Sequence, residues 1–206
     1  MIKVDLHTHS NNSPDGTCSI KELAISAGKR GLDAIGVSDH NYLSSGRKKI
    51  GSVLIIYGQE VSTLQGHVLV YGVKKQFQAG IDARRLVREV RGLGGITIAA
   101  HPYALRQDSV GDLADEFGFD AIERFNGRNF VNNIRNIIKN RHGVGGSDAH
   151  CAAEVGNAYT VLNCDLDEES IIKSIKTQDY RAVWSTKPSS IPLRYAMRLR
   201  RFVKLE

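Results

Sequence analysis

His7-Thr8-His9 follows a run in which the apolar residues Ile2, Val4 and Leu6 occupy alternate positions. Period-two alternation marks a strand, and residues i and i+2 of a strand point to the same face. His7 and His9 are therefore expected to project side by side. A lone His-x-His pair is common on surfaces and in cores. Here it opens a series, because Asp39-His40, Glu60, His67, His101, Asp148 and His150 follow at the ends of later strand-like runs. Six of the seven histidines belong to this series; His142, beside Arg141 at an expected helix end, is expected in solvent. Imidazoles mixed with carboxylates suit zinc, manganese or iron, without the thiolates of a closed structural zinc site. So many ligands overfill one ion, so two or three divalent ions are expected as cofactors, with Glu60 able to bridge neighbours. Clustered ions lower the pKa of a shared water from about 15.7 towards about 7 and clamp the oxygens of a phosphate. Hydrolysis of a phosphoester by a metal-bound hydroxide is the chemistry this set suits.

The elements that must carry these residues can be read from the same pattern. Strands are expected over 2–7, 32–37, 52–61, 67–73, 96–100, 119–123, 144–147 and 159–163. The short link at 62–66 suits an antiparallel hairpin between the third and fourth of these. Ser19-Ile20-Lys21-Glu22 is a capping box opening a helix to about Arg30, and Asp82 caps another to Arg91. Further helices are expected over 109–117, 130–140 and 167–176, and 41–50 reads as a short helix or loop. Strands alternating with helices argue for β/α units and a barrel-like sheet, in which chemistry gathers at one end of the strands.

The 206 residues fit one domain, and 41% hydrophobic with 24% charged content is ordinary for a globular chain. No apolar run reaches about 18 residues, and no basic and apolar leader precedes the first strand, so neither a membrane span nor a signal segment is expected. Cys18, Cys151 and Cys164 are odd in number and unpaired by spacing, which fits a reduced, cytoplasmic compartment. Of the net charge of +6, +5 comes from 187–206, a stretch with six basic residues and one acidic. Ile191, Tyr195, Leu199 and Phe202 share one face of that stretch, so a basic amphipathic C-terminal helix is expected. Its basic face could simply be solvated, or could contact RNA or an anionic membrane surface.

Taken together, Asp5-Leu6-His7-Thr8-His9-Ser10 with Ser13-Pro14-Asp15-Gly16-Thr17, then Gly36-Val37-Ser38-Asp39-His40, Gly58-Gln59-Glu60-Val61-Ser62, Gly66-His67-Val68-Leu69, Ala100-His101-Pro102 and Gly146-Ser147-Asp148-Ala149-His150 resemble a known family. It is the polymerase and histidinol phosphatase (PHP) superfamily of metal-dependent phosphoesterases, whose motifs stand here in family order across residues 5–150. The resemblance implies a distorted seven-stranded TIM-like β/α barrel, the whole of 1–206 forming one PHP domain, with a trinuclear metal site. It implies one metal site from His7, His9, Glu60 and Asp148, a second from Glu60, His67 and His101, and a third from Asp15, His40 and His150. Composition alone makes Asp15 a turn residue; its ligand role comes from the resemblance, as does an orienting role for Asp39. The carboxylate at Asp15 is similar to the branch acting on nucleotides and short RNA. That branch often carries a sizeable insertion after the His-Pro block, for which there is no room here, since Asp148 follows Pro102 by only 46 positions.

Several residues outside the ligand set are candidates for substrate contact. Asp120-Ala121-Ile122-Glu123-Arg124-Phe125-Asn126-Gly127-Arg128 ends the sixth strand, and many relatives read Glu-x-x-Asn there, which places Glu123 and Asn126 at the pocket. Arg124 and Arg128 could hold a substrate phosphate through paired hydrogen bonds, or form surface ion pairs with Asp120 or Glu123. Arg47, Lys48 and Lys49 read as a solvated face that could steer an anion, Tyr103 as a packing residue that could stack on a base, and Cys151 as a bystander. The leading expectation is a hydrolase acting on small phosphorylated metabolites, nucleotides or short oligonucleotides. His7, His9, Glu60, Asp148 and His150 would be its catalytic groups, and Arg124, Asn126 and Arg128 its substrate contacts. Two alternatives are a non-catalytic RNA-binding subunit resembling the barrel protein of ribonuclease P, which lacks such ligands, and a metal-dependent amidohydrolase. The latter usually wants a lysine suited to carbamylation at a strand end, which is not found here.

Overall fold

The computed structural model describes residues 1–105 and 109–185. The expected amphipathic helix over 187–206 lies outside them. Strand β1 (Ile2–Thr8) is buried from Val4 onward, with Val4 and Leu6 in the core alongside Asp5 and His7. Helix α1 (Ile20–Lys29) starts at the expected capping box, where Ser19 N donates to Glu22 Oε2 at 2.8 Å and Glu22 N to Ser19 Oγ at 3.3 Å. Gly31, at φ +70°, turns the chain out of the helix, a conformation that costs a residue with Cβ. Strand β2 (Ala34–Val37) pairs parallel with β1 and delivers Ser38-Asp39-His40.

The segment after His40 forms turns and a two-residue strand, β3 (Lys49–Ile50), where a helix or loop was expected. Strands β4 (Val53–Thr63) and β5 (Gly66–Tyr71) form the expected antiparallel hairpin. Helix α2 (Ala83–Gly92) is capped by Asp82, which accepts from Arg85 N at 2.9 Å. Strands β6 (Ile96–Ala99), β7 (Ala121–Asn126) and β8 (Val144–Gly146) are mutually parallel, and helix α3 (Phe130–Ile138) lies between the last two in sequence. The expected helix at 109–117 is only a 3-10 turn, Gly111–Asp115. Strand β9 (Ala158–Leu162), helix α4 (Glu168–Lys176) and strand β10 (Tyr180–Trp184) complete the described elements. Strand β10 was not foreseen, because it follows α4 with no turn signal strong enough to announce it.

The sheet runs β10-β9-β1-β2-β4-β5-β6-β7-β8, with β3 on the flank of β4. Its ends nearly meet. Thr8 bridges to Ala149, and Ser147 N donates to Asp5 Oδ1 at 2.8 Å, so the segment after β8 closes against β1. The result is the expected distorted barrel of the PHP type, but mixed in direction: β5, β9 and the hairpin make antiparallel pairs that a pure β/α repeat lacks. Val4, Leu6, Ile56, Leu69, Ile98 and Val144 fill the interior together with Ile171 and Ile175 of α4. Lys176 Nζ donates to Gly94 O just before β6, so α4 covers the barrel end opposite the strand termini that carry the histidines. Separate apolar layers seat α1 on β2 and β4, and α2 on β4 and β5. Among the described residues no helix is long and apolar enough to cross a membrane.

Candidate metal centre

One carboxylate organises this end of the barrel. Glu60, on β4 and 1% exposed, has its Oε1 at 3.1 Å from both His67 Nδ1 and His101 Nε2. Its Oε2 lies 3.4 Å from His7 Nε2, 3.2 Å from His9 Nε2 and 3.1 Å from His40 Nδ1. Five imidazoles from β1, β2, β5 and β6 or the residues just after them thus face the two oxygens of one side chain. His67 begins β5 rather than ending a strand; the antiparallel direction of β5 brings it to the same rim.

Asp148 completes the first group, its Oδ1 lying 3.7 Å from His7 Nε2 and 3.6 Å from His9 Nε2. His7 Nε2 and His9 Nε2 are 3.0 Å apart. An ion with ligand distances of about 2.0–2.2 Å in tetrahedral array requires neighbouring donors about 3.3–3.6 Å apart; His7–Glu60 at 3.4 Å and His9–Asp148 at 3.6 Å meet this, whereas the two imidazoles at 3.0 Å stand closer. A further group gathers Asp15, His40 and His150 near His9, with His150 Nε2 at 2.8 Å and His40 Nε2 at 3.7 Å from Asp15 Oδ2. Donor atoms of His9-Asp15-His40-His150, of His7-His9-Glu60 and of His40-Glu60-His67 each lie within 4.8 Å of one another. His67 Nδ1 is buried without a hydrogen bond among the described residues although it faces Glu60. A buried nitrogen left in that state fits a metal ligand, because an ion between the two groups would satisfy both.

The charge balance points the same way. Burial drives His9 down to about 3, so it stays neutral. Burial opposes charge on His7 as well, but the carboxylates of Glu123, Glu60 and Asp148 outweigh it and raise its pKa well above the ordinary value. Glu60 and Asp148 are held low despite their burial, chiefly by His7 together with His67 for the former and Arg128 for the latter. A buried cluster of anions balanced largely by imidazolium protons, with Arg128 at its edge, is one in which divalent ions can replace those protons.

A surrounding layer fixes the ligands. His7 Nδ1 meets Glu123 Oε1 at 2.9 Å, which orients its Nε2 toward the cluster. Glu123 Oε2 accepts from His101 N at 2.8 Å and from Asn126 Nδ2 at 2.9 Å, and Asn126 Nδ2 also reaches Asp148 Oδ2 at 3.3 Å. Asp39 accepts from Ser10 N at 2.7 Å and from Ser10 Oγ at 2.8 Å, so it orients the loop after β1. Ser13 Oγ accepts from His40 N at 2.8 Å and lies 3.2 Å from His9 Nδ1. Asp5, raised to about 6 by burial, accepts from the backbone of His7, Ser147 and Gly156. Asp5 and Ser13 escaped the sequence reading as supports; their proximity to His7 and His9 in the chain was the available signal. His101 and Asp148 take left-handed backbone angles, φ +27° and +55°, strain of about 1–3 kcal/mol each that concentrates at functional positions.

The expected substrate contacts divide. Arg128, half-buried, lies 4.0 Å from both Asp148 Oδ1 and Glu154 Oε1 and hydrogen-bonds His150 Nδ1, at the edge of the third group. Asn126 is fully buried and supports carboxylates. Arg124 does not reach the cluster: alternation along β7 turns it to the side opposite Glu123, where its guanidinium packs 5.0 Å over Phe125. Tyr103 packs beneath Arg141 and Lys139 and donates to Asp112, and Lys48 pairs with Glu168 on the surface. His142 is exposed and stacks on Tyr180. Cys151 is half-buried, its thiol pKa raised by burial.

Comparisons with known proteins agree with this fold. The chain is similar to PsfC from Pseudomonas syringae PB-5123 (19% identity, 98% of each chain, TM-score 0.76). It is also similar to a two-domain protein from Bacteroides vulgatus containing a predicted PHP-like metal-dependent phosphoesterase (20% identity, 89% of this chain and 64% of that one, TM-score 0.65). The lesion-specific endonuclease PfuEndoQ from Pyrococcus furiosus shares the fold at 16% identity, over 85% of this chain and 56% of that one, with TM-score 0.64. At the level of sequence, the PHP-associated pattern matches residues 139–179 and the PHP domain pattern matches residues 5–144, a span holding every member of the cluster except Asp148 and His150. The chain belongs to the PHP-domain family of metal-dependent phosphoesterases.

Proposed function

We propose that this chain hydrolyses phosphate esters of small phosphorylated metabolites, nucleotides or short oligonucleotides at a centre of two or three divalent ions. The observation that carries the reading is Glu60, whose two oxygens face two different sets of imidazoles. Such a carboxylate is placed to hold two ions at once. His7, His9, Glu60 and Asp148 would hold one ion, Glu60, His67 and His101 a second, and Asp15, His40 and His150 a third. Zinc, manganese or iron bound there supplies acidity to a water nucleophile and positive charge to the phosphate oxygens.

The protein's own part is access and orientation. The side chains of His7, His9, Glu60, His101 and Asp148 are at most 2% exposed, whereas those of His40 and Asp15 are 21% and 44% exposed. Substrate therefore enters over the His40-Asp15-His150 side. Arg128 stands on that side and offers N–H donors to a phosphate oxygen once it leaves Asp148 and Glu154. Asp15 and His150, 2.8 Å apart, stand at that entrance and would hold the third ion beside the incoming phosphate. PfuEndoQ, an endonuclease by its name, supports including oligonucleotides among the substrates.

The test is metal analysis of the purified chain followed by a screen of phosphate release from mononucleotides, bisphosphates, histidinol phosphate and short RNA. Bound metal and turnover lost on chelation are expected. Absence of both metal uptake and turnover after loading with zinc, manganese or iron would refute the reading.

A further inference from the structure

Helix α3 is amphipathic in the wrong sense. Its fully buried residues are Asn132, Asn133 and Asn136, while Phe130, Ile137 and Ile138 are exposed. A surface helix ordinarily turns its apolar stripe inward, and a buried amide is costly unless its hydrogen bonds are made. The three amides must therefore answer a demand on the buried side.

That demand comes from the end of β7. Strand β6 pairs with β7 only at Ile98–Ala121 and Ala99–Ile122, after which the chain leaves the sheet at His101-Pro102. On the other edge, the β7–β8 register slips between Glu123 and Phe125. β8 stays paired through Glu123, Phe125 and Asn126, but on the β6 edge the backbone from Glu123 to Asn126 lacks a strand partner where it carries the residues that orient the metal ligands. The asparagines take the place of the missing strand. Asn133 Oδ1 accepts from Asn126 N at 2.7 Å and its Nδ2 donates to Asn126 O at 2.9 Å, closing both backbone groups of one residue. Asn132 and Asn136 donate to Glu123 O at 3.2 and 3.3 Å, and Asn136 donates to Arg124 O at 3.2 Å. Asn132 Oδ1 also accepts from Tyr103 N at 3.1 Å, tying the turn after His101 to the same ladder.

We infer that this asparagine ladder positions the metal centre, with Asn133 and Asn132 as positioning residues that act through Glu123, Asn126 and the His101 turn. The chain of contacts is short. Asn133 fixes Asn126, Asn126 holds the Glu123 and Asp148 carboxylates, and Glu123 orients His7 and receives the His101 amide. Nothing in the ladder touches a ligand atom directly, so its effect falls on affinity and geometry. The inference rests on the reading of the cluster as a metal centre.

The test measures Zn²⁺ affinity of the full-length chain by competition with a chromophoric chelator, well below the melting temperature of every variant. Asn133→Leu keeps approximate volume and removes both bonds to Asn126. Its affinity is expected to fall about 10–100-fold, the usual consequence of losing a residue that supports metal ligands. The control is Ile175→Ala in α4, at the far end of the barrel; it lowers the melting temperature of the metal-free chain but leaves the affinity at the wild-type value. If Asn133→Leu does not fold, Asn133→Ser, which is smaller, stays polar and is too short to close both bonds to Asn126, takes its place with the same expectation. Wild-type affinity in the folded Asn133 variant overturns the inference, as does an equal loss in Ile175→Ala. A wild-type chain that takes up no Zn²⁺ overturns the metal-centre reading itself and the inference with it.

Discussion

Glu60 and the five imidazoles around it show how much of a site single residue types can announce. Histidines and carboxylates recurring beside strand ends were enough to expect a metal cluster, and eight of those side chains come together at one rim, joined by Asp15, to which only the family resemblance pointed. Arg124 was misjudged because spacing along the chain says a residue is near the pocket, while strand alternation decides which way it points. Gly146 shows the opposite case, a residue with no chemistry whose absence of a side chain is essential. A Cβ there would lie 2.5 Å from His7 Cβ and 2.6 Å from Glu123 Oε1. Neither neighbour can retreat, since His7 and Glu123 are both fully buried and bonded to each other. Gly146→Ala is therefore expected to destabilise the fold by about 1–3 kcal/mol and to weaken metal uptake, measured by urea denaturation and chelator competition. An alanine variant with wild-type stability and affinity would show that the His7–Glu123 pair is not held against β8.

At the scale of elements, caps and turns were the most legible features. Ser19-x-x-Glu22 and Asp82 start helices where their side chains can satisfy free backbone N–H groups, and each does so; Asp167, expected as the first residue of its helix, is likewise its cap. The 3-10 turn at Gly111–Asp115, strand β10 and the antiparallel pairs outside the β4–β5 hairpin were illegible or misread, because they are settled by packing against neighbouring elements. The Asp82 cap carries a pH signature. Hydrogen bonds from the helix backbone, first from Arg85 N, hold its carboxyl below the ordinary 3.8. A depressed carboxyl contributes stability above its unfolded pKa and loses it as pH falls through the folded one. Asp82→Ala should accordingly lower the melting temperature by roughly a few degrees at neutral pH. The gap between variant and wild type should close as the pH falls below 3.8. A gap that persists unchanged in acid would assign the cap's effect to something other than the ionised carboxylate.

The described residues form a barrel that closes at one end on α4 and at the other on polar side chains. Ile171 and Ile175 seal the first with apolar contacts; at the second, buried carboxylates and imidazoles stand where a core would otherwise be apolar. Such a rim is costly to bury unless it binds something. Ions that bind the folded chain alone stabilise it by mass action, about 2.7 kcal/mol at a free concentration one hundred times Kd. Chelation should lower the melting temperature and re-addition of zinc or manganese should restore it, as read by calorimetry. A melting temperature indifferent to both would mean that the rim is satisfied by its own protons.

In the proposed function Glu60 would bridge at least two ions. Anomalous scattering from crystals of the chain loaded with zinc or manganese, collected across the metal edge, addresses it directly. Separate peaks are predicted beside Oε2, among His7, His9 and Asp148, and beside Oε1, between His67 and His101. A single peak served by one oxygen, or an imidazole cluster that scatters no anomalous signal after loading, would contradict the account.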